Sequence, residues 1–188
     1  MEPEYLTSKE VKAMGFKSVG RQVLISRTAR IYHPELMTVG SHVLIDDFTV
    51  LNGEIHIGNY VHISSHTALY CGKASITLED YVGISSHMAI YATSDDFSGA
   101  SLNNPTVPPA FRFEKDLPVV IKKHVLFGTG CKVLPGVTLG EGCSFGSDCV
   151  VNKSTEPWGI YVGAPARRIR ERSKDLLKFE RIMNGEKE

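Results

Sequence analysis

The chain has 188 residues, with Lys+Arg 21 against Asp+Glu 21 and no formal net charge, which speaks against nucleic acid and anionic membrane surfaces as partners. That length suits one core with terminal extensions rather than two independent domains. No apolar run approaches the roughly 20 residues that span a bilayer, and the opening MEPEYLTSKEVK is acidic and polar, unlike a signal peptide, so a cytoplasmic protein that crosses no membrane is expected.

Residues 1–18 read as an N-terminal cap, in which Thr7 or Ser8 with Glu10 forms an N-cap arrangement for a short helix. From 19 to 91 an aliphatic residue returns every six positions, as in Val39, Ile45, Leu51, Ile57, Ile63 and Leu69. Six matches neither the 3.6 of an amphipathic helix nor the 2 of a strand. A triangular coil of three short strands fits it, with one large apolar residue per side on the axis and a turn at each corner. Glycines that follow the axial residue, such as Gly20, Gly40 and Gly58, are expected where corner backbones need permissive φ and ψ.

Residues 59–70, NYVHISSHTALY, recur as DYVGISSHMAIY at 80–91, an offset of 21 where three hexads give 18. The intervening coil therefore bulges by three residues around Gly72, Lys73 and Ala74. Coils stack about 4.8 Å apart, so Ser64, Ser65 and His66 are expected beneath Ser85, Ser86 and His87. Cys71, two after Leu69, is expected to face outward.

Between 92 and 118 the hexads stop, and the Pro- and Gly-containing stretch reads as a long inserted loop, a length that is usually functional or disordered. Its Phe97, Phe111 and Phe113 argue that it packs against something. Coils resume over 119–166 with Ile121, Phe127, Val133, Leu139, Phe145 and Val151. Cys131, Cys143 and Cys149 fall four after an axial residue, where a small inward side chain is wanted, and read as reduced core filler. Residues 167–188 are expected as a C-terminal helix that covers the open end of the stack.

The [LIV]-G hexads, the stretch VLFGTGCKVLPGVTLGEGCSFGSDCVVNK and the closing YVGAPARRIR resemble the hexapeptide-repeat acyltransferases. The resemblance covers about residues 19–170 and implies an all-β, left-handed parallel β-helix forming a single acyltransferase domain over 1–188. It also implies acyl-CoA, acetyl-CoA in the first instance, as co-substrate. A homotrimer with active sites at subunit interfaces is expected, because one coil stack offers only a convex wall and a ligand groove needs a second.

Acyl transfer from a thioester needs a positioned nucleophile, a donor for the oxyanion and a route for the departing proton. His66, Ser85, Ser86 and His87, beside the bulge and the loop, are the catalytic candidates. Serines are also ordinary at coil corners, and the histidines could be plain surface imidazoles. His62, His66 and His87 invite a zinc reading, but the ladder puts His62 at another corner, and no metal is expected. The resemblance further implies coenzyme contacts at Gly128, Thr129, Gly146 and Ser147, and neutralisation of its phosphates by Lys153 and Arg167, whose alternative is plain solvation.

Sugar O-acetyltransferases of this family place a general-base histidine just as the loop begins. Here the segment is Ala92-Thr93-Ser94-Asp95-Asp96. A hydroxyl needs a base, whereas an amine attacks unaided near neutral pH, so an amine acceptor is favoured. The run SDDFSGASLNNPTVP resembles the loop of N-acyltransferases acting on nucleotide-linked amino-dideoxysugars, which implies Ser94, Asp95, Asp96 and Asn104 as acceptor contacts. A paired aspartate in a loop is equally a turn or N-cap device. The expectation is an N-acyltransferase serving surface polysaccharide synthesis. Its rivals are an O-acetyltransferase using His66 or His87 as base, a metal-dependent lyase, and a non-catalytic β-helix adaptor.

Overall fold

The structure, a computed structural model, describes residues 4–185. The first three and last three positions of the expected terminal caps lie outside the described residues. The chain is a parallel β-solenoid whose coils stack strand on strand: Val39 pairs with Ile57, Ile45 with Ile63, Phe127 with Phe145 and Val133 with Val151. Both axial series are buried, and Ile45, Leu51, Ile63, Leu69, Ile121, Phe127, Val133 and Leu139 are fully so. Phe127, Phe145 and Tyr161 stack within the core at 5.0 and 5.2 Å between ring centroids. This apolar column is the main stabilising element, since each large side chain removed from water contributes about 1.5–3 kcal/mol.

Cys131, Cys143 and Cys149 are buried free thiols among that core. Cys71 is buried as well, correcting the outward expectation. It lies in the strand Ala68–Leu78, where side chains alternate, so Leu69 and Cys71 point to the same interior. Its thiol donates to the Glu54 carbonyl at 3.2 Å, and burial pushes its pKa up to about 12.

The glycines of the hexads do a different job from the one expected. Most left-handed corner positions are held by non-glycine residues, among them His42, Tyr60, Tyr81 and His124 in one column and Phe48, His66 and His87 in another, which Gly142 and Gly130 continue. Gly128 instead allows coils to approach: a Cβ there would lie 2.6 Å from the Ser147 nitrogen. Aromatic rings at the strained corners stack on one another, His42 on Tyr60 at 4.5 Å and Tyr60 on Tyr81 at 5.0 Å, and this contact offsets part of the strain.

Three departures from the regular coil carry the functional geometry. Asn52 pairs with Tyr70 but Glu54 with Ser75, so residues 71–74 bulge out opposite Gly53, the three-residue excess expected from the duplication. The inserted segment is not an unstructured loop: Thr93–Asp95 and Glu114–Asp116 pair as an antiparallel hairpin stem. The bulge carries this stem, because the Lys73 main-chain N–H donates to the Asp116 carboxylate at 3.2 Å. The expected helix over 167–188 is also shorter. Arg167–Glu171 is a strand antiparallel to Gly159–Val162, and only Leu176–Met183, helix α2, is helical. A helix at 167 would forfeit the backbone partners of Gly159–Val162.

At the other end helix α1, Ser8–Ala13, starts from Thr7 in a reciprocal capping box with Glu10. Arg27 and Thr7 hold the Glu10 carboxyl down to about 2.

Candidate active site

The bulge and the hairpin flank a half-open cavity of about 610 Å³ within a single chain, in the size range of small-molecule sites. The expectation that one coil stack offers only a convex wall is thereby corrected: an excess of three residues and an inserted hairpin suffice to make it concave. Tyr70 and Tyr91 form one wall, stacked with centroids 5.5 Å apart and planes 17° from parallel. Asn52 continues their column, as the register partner of Tyr70. Phe97, Pro105, Leu134 and Pro135 add apolar surface.

Polar groups enter from the hairpin. Thr93, Ser94 and Asp95 line the cavity from one strand and Glu114 from the other. Ser94 donates through its hydroxyl to the Asp95 carbonyl at 3.0 Å. The Asp95 carboxylate makes no hydrogen bond among the described residues, whereas Glu114 accepts from the Arg112 guanidinium. Cys71 also reaches the lining, but its raised pKa makes it a poor nucleophile there.

Asp96 does not share this position. Its carboxylate accepts from the Ser98 nitrogen and hydroxyl at 2.8 and 2.6 Å and from the Ser101 nitrogen at 2.9 Å. These bonds, those of Ser98 first, hold its pKa down to about 2. Asp96 is therefore the clasp of its own loop, the turn alternative weighed for the aspartate pair. Asn104 is similarly engaged, its side-chain oxygen accepting from the Thr106 nitrogen at 3.0 Å.

The serine–histidine corner is built as the duplication requires. The His66 and His87 rings stack at 4.8 Å with planes 2° apart, and Phe48 stacks beneath His66 at 4.9 Å. The Ser86 carbonyl accepts from the Thr129 hydroxyl at 2.8 Å and from the Gly130 nitrogen at 3.0 Å. Ser86 is thereby joined to the Gly128–Gly130 turn, which in turn lies against Gly146 and Ser147. The corner residues do not line the cavity within this chain; the strand Ala89–Tyr91 separates them from it. Lys153 and Arg167 are both exposed near the last coil, and among the described residues the Arg167 guanidinium donates only to the neighbouring Ala166 carbonyl, at 3.3 Å. Among the described residues no group of three His, Cys, Asp or Glu is arranged to hold a metal.

Tyr70, Tyr91 and Glu114 are among the lining residues that sequence reasoning passed over, as are Asn52, Pro105, Leu134 and Pro135. The two duplicated segments both end in tyrosine, and the ladder logic that stacks the histidines stacks these rings too. Nothing in the sequence marks Glu114, because its partnership with Asp95 depends on a hairpin register with a long intervening segment.

Comparison with known proteins agrees with this architecture. Residues 118–153 match the family described as bacterial transferase hexapeptide (six repeats). The chain is 41% identical over 181 residues, 95% of its length and 94% of the other's, to the dTDP-4-amino-4,6-dideoxy-D-glucose acyltransferase of Escherichia coli. AntD, an N-acyltransferase from Bacillus cereus, solved with dTDP and 3-hydroxybutyryl-CoA, superposes with a TM-score of 0.95 at 40% identity, covering 98% of each chain. A serine-to-alanine variant of AntD holds dTDP-4-amino-4,6-dideoxyglucose and coenzyme A, with the same TM-score of 0.95 and 40% identity over 98% of this chain and 99% of the other. The chain is an acyltransferase, and it belongs to the hexapeptide-repeat family of the dTDP-4-amino-4,6-dideoxy-D-glucose acyltransferases.

Proposed function

We propose that the protein transfers a short acyl group from acyl-CoA to the amine of a nucleotide-linked amino-deoxysugar, as one acyltransferase domain spanning 1–188. The observation that carries this is the acceptor set of the cavity: Ser94 and two carboxylates, Asp95 and Glu114, reach it from the hairpin. A sugar hydroxyl requires an imidazole-like base in contact, whereas an amine needs only hydrogen-bond acceptors to orient it. The likeness to enzymes acting on dTDP-4-amino-4,6-dideoxyglucose supports the same acceptor class here.

In this reading Asp95 accepts from the amino group, with Ser94 beside it. The amine lone pair attacks the thioester carbonyl carbon; the N–C bond forms, the C–S bond breaks, and the departing thiolate takes the surplus amine proton. Ser85 or Ser86, with His66 or His87, supplies the oxyanion donor. Because that corner stands apart from the cavity in one chain, it meets the acceptor across an interface, which supports a homotrimer with shared sites. Gly128, Thr129, Gly146 and Ser147 form the small-residue track for the pantetheine arm, the close coil approach at Gly128 giving exposed backbone a place to bond. Lys153 and Arg167 neutralise the coenzyme's phosphates. The protein acts in the cytoplasm, in the making of a surface polysaccharide, without a metal.

Thiol release from acetyl-CoA and 3-hydroxybutyryl-CoA, with dTDP-4-amino-4,6-dideoxyglucose and its 4-hydroxy counterpart as acceptors, tests this. Turnover of the amine only is the expected result. Faster turnover of the hydroxyl compound, with one histidine indispensable, would establish the O-acetyltransferase reading instead.

A further inference from the structure

Two carboxylates line the cavity, and they come from opposite strands of one hairpin: Asp95 is the register partner of Glu114. Directly opposed residues of an antiparallel pair share a face, with Cβ atoms about 4.5–5.5 Å apart. Their surroundings differ. Asp95 keeps its whole carboxylate for the cavity, while one oxygen of Glu114 accepts from Arg112, leaving the other. The Arg112 side chain is only 17% exposed and pairs with Glu114 without itself lining the cavity. Its Nε is buried without a partner among the described residues, so the couple does not use up its donors as a closed structural pair.

Among the described residues no lysine or arginine lines this cavity. Asp95, whose charge is unpaired, and Glu114, whose charge Arg112 offsets in part from outside the lining, still disfavour a diphosphate and attract hydrogen-bond donors, ammonium most of all. For an acceptor that carries both an amine and a diphosphate, the cavity therefore takes the amine end. Donor count then distinguishes nitrogen from oxygen. A neutral amine has two N–H donors and a lone pair, so it can give one donor to each carboxylate and still attack. A hydroxyl has one O–H and leaves one carboxylate unanswered.

We propose that Glu114, held by Arg112, is the second anchor of the acceptor's amine and, together with Asp95, the determinant that selects an amine over a hydroxyl. This rests on the N-acyltransferase reading and extends it to a residue acting on the same atom. After transfer the amide nitrogen retains one N–H, so one of the two anchors loses its donor and the product is held less tightly than the substrate.

The test measures binding of dTDP-4-amino-4,6-dideoxyglucose and of its 4-hydroxy counterpart to the full-length protein, wild type and Glu114→Gln, in the absence of acyl-CoA. Glu114→Gln is expected to weaken the amine ligand about tenfold or more, as on loss of one charge-assisted hydrogen bond, and to leave the hydroxyl ligand within about twofold. Glu114→Asp, which keeps the charge, should recover part of the amine affinity. In turnover the acceptor KM should rise with kcat little changed and the acyl-CoA KM unmoved. Equal weakening of both ligands would make Glu114 a loop staple and overturn the proposal, as would unaltered binding of the amine ligand. If the wild-type protein acylates neither ligand, the acyltransferase reading of the acceptor fails separately, without reference to Glu114.

Discussion

The main-chain N–H of Lys73 donates to the carboxylate of Asp116 across 3.2 Å, joining the bulge of one coil to the stem of the inserted hairpin. The cavity exists because of this join: the bulge supplies Cys71 and Gly72 to its lining, and the stem supplies Ser94, Asp95 and Glu114.

Asp116→Ala should therefore act on the hairpin rather than on the solenoid. The lost bond is partly exposed and worth about 1 kcal/mol locally, far less than the core contributes. Amide hydrogen exchange should quicken over residues 92–118 while the axial strands keep their protection, and the acceptor KM should rise. Uniform loss of protection along the chain would show that the hairpin and the coils open as one unit.

The two adjacent aspartates should separate under mutation and under acid. Asp96 is tied by Ser98 and Ser101, and its pKa is depressed from 3.8 to about 2. A depressed carboxyl stabilises the state that depresses it above its free pKa, and the benefit disappears as pH falls through the lowered value. Loop order from Asp96 should thus be complete above about pH 4 and decline toward pH 2, with no change between pH 5 and 8. Asp96→Asn should make the loop susceptible to proteolysis at neutral pH, whereas Asp95→Asn should leave the loop intact and raise the acceptor KM. Identical proteolytic patterns for the two variants would contradict this division.

The coil was legible because it repeats: each hexad states the same geometry, and Leu51, Leu69 and Ile90 reach the interior by the same rule. The bulge was legible from the duplicated segment, since a parallel register cannot absorb three residues silently. The tail was not. Arg167–Glu171 has no burial pattern of its own, every residue being exposed, and becomes a strand only because Gly159–Val162 offers an edge. Cys71 was misplaced because the hexad rule was applied across the bulge, where strand alternation takes over. Glu114 was invisible for a related reason: a non-local pairing, not a local pattern, sets its partner.

Core substitutions should report on the stack. Phe127→Ala removes a fully buried ring that packs on Phe145 at 5.0 Å, and with Phe145 stacked in turn on Tyr161 the vacated space cannot close easily. A loss of about 3–5 kcal/mol is expected, read as a lower denaturation midpoint. Cys131→Ala, at a thiol whose pKa burial raises to about 11, should cost much less and leave turnover unchanged. A larger loss of turnover in the cysteine variant would point to thiol chemistry that the buried position argues against.

The donor side has its own signature. Lys153 and Arg167 are exposed, and the only hydrogen bond the Arg167 guanidinium makes among the described residues is the one to Ala166, so replacing both with alanine should leave stability within about 0.5 kcal/mol. If each neutralises a coenzyme phosphate for about 1 kcal/mol, the acyl-CoA KM of the double variant should rise on the order of 30-fold while the acceptor KM stays level. Added salt should narrow the difference between wild type and variant, because exposed charge contacts are screened. Pantetheine thioesters that lack the nucleotide phosphates should be used equally well by both proteins. An unchanged acyl-CoA KM, or a loss that extends to the pantetheine donor, would mean that the phosphates are met elsewhere and that these two side chains are simply solvated.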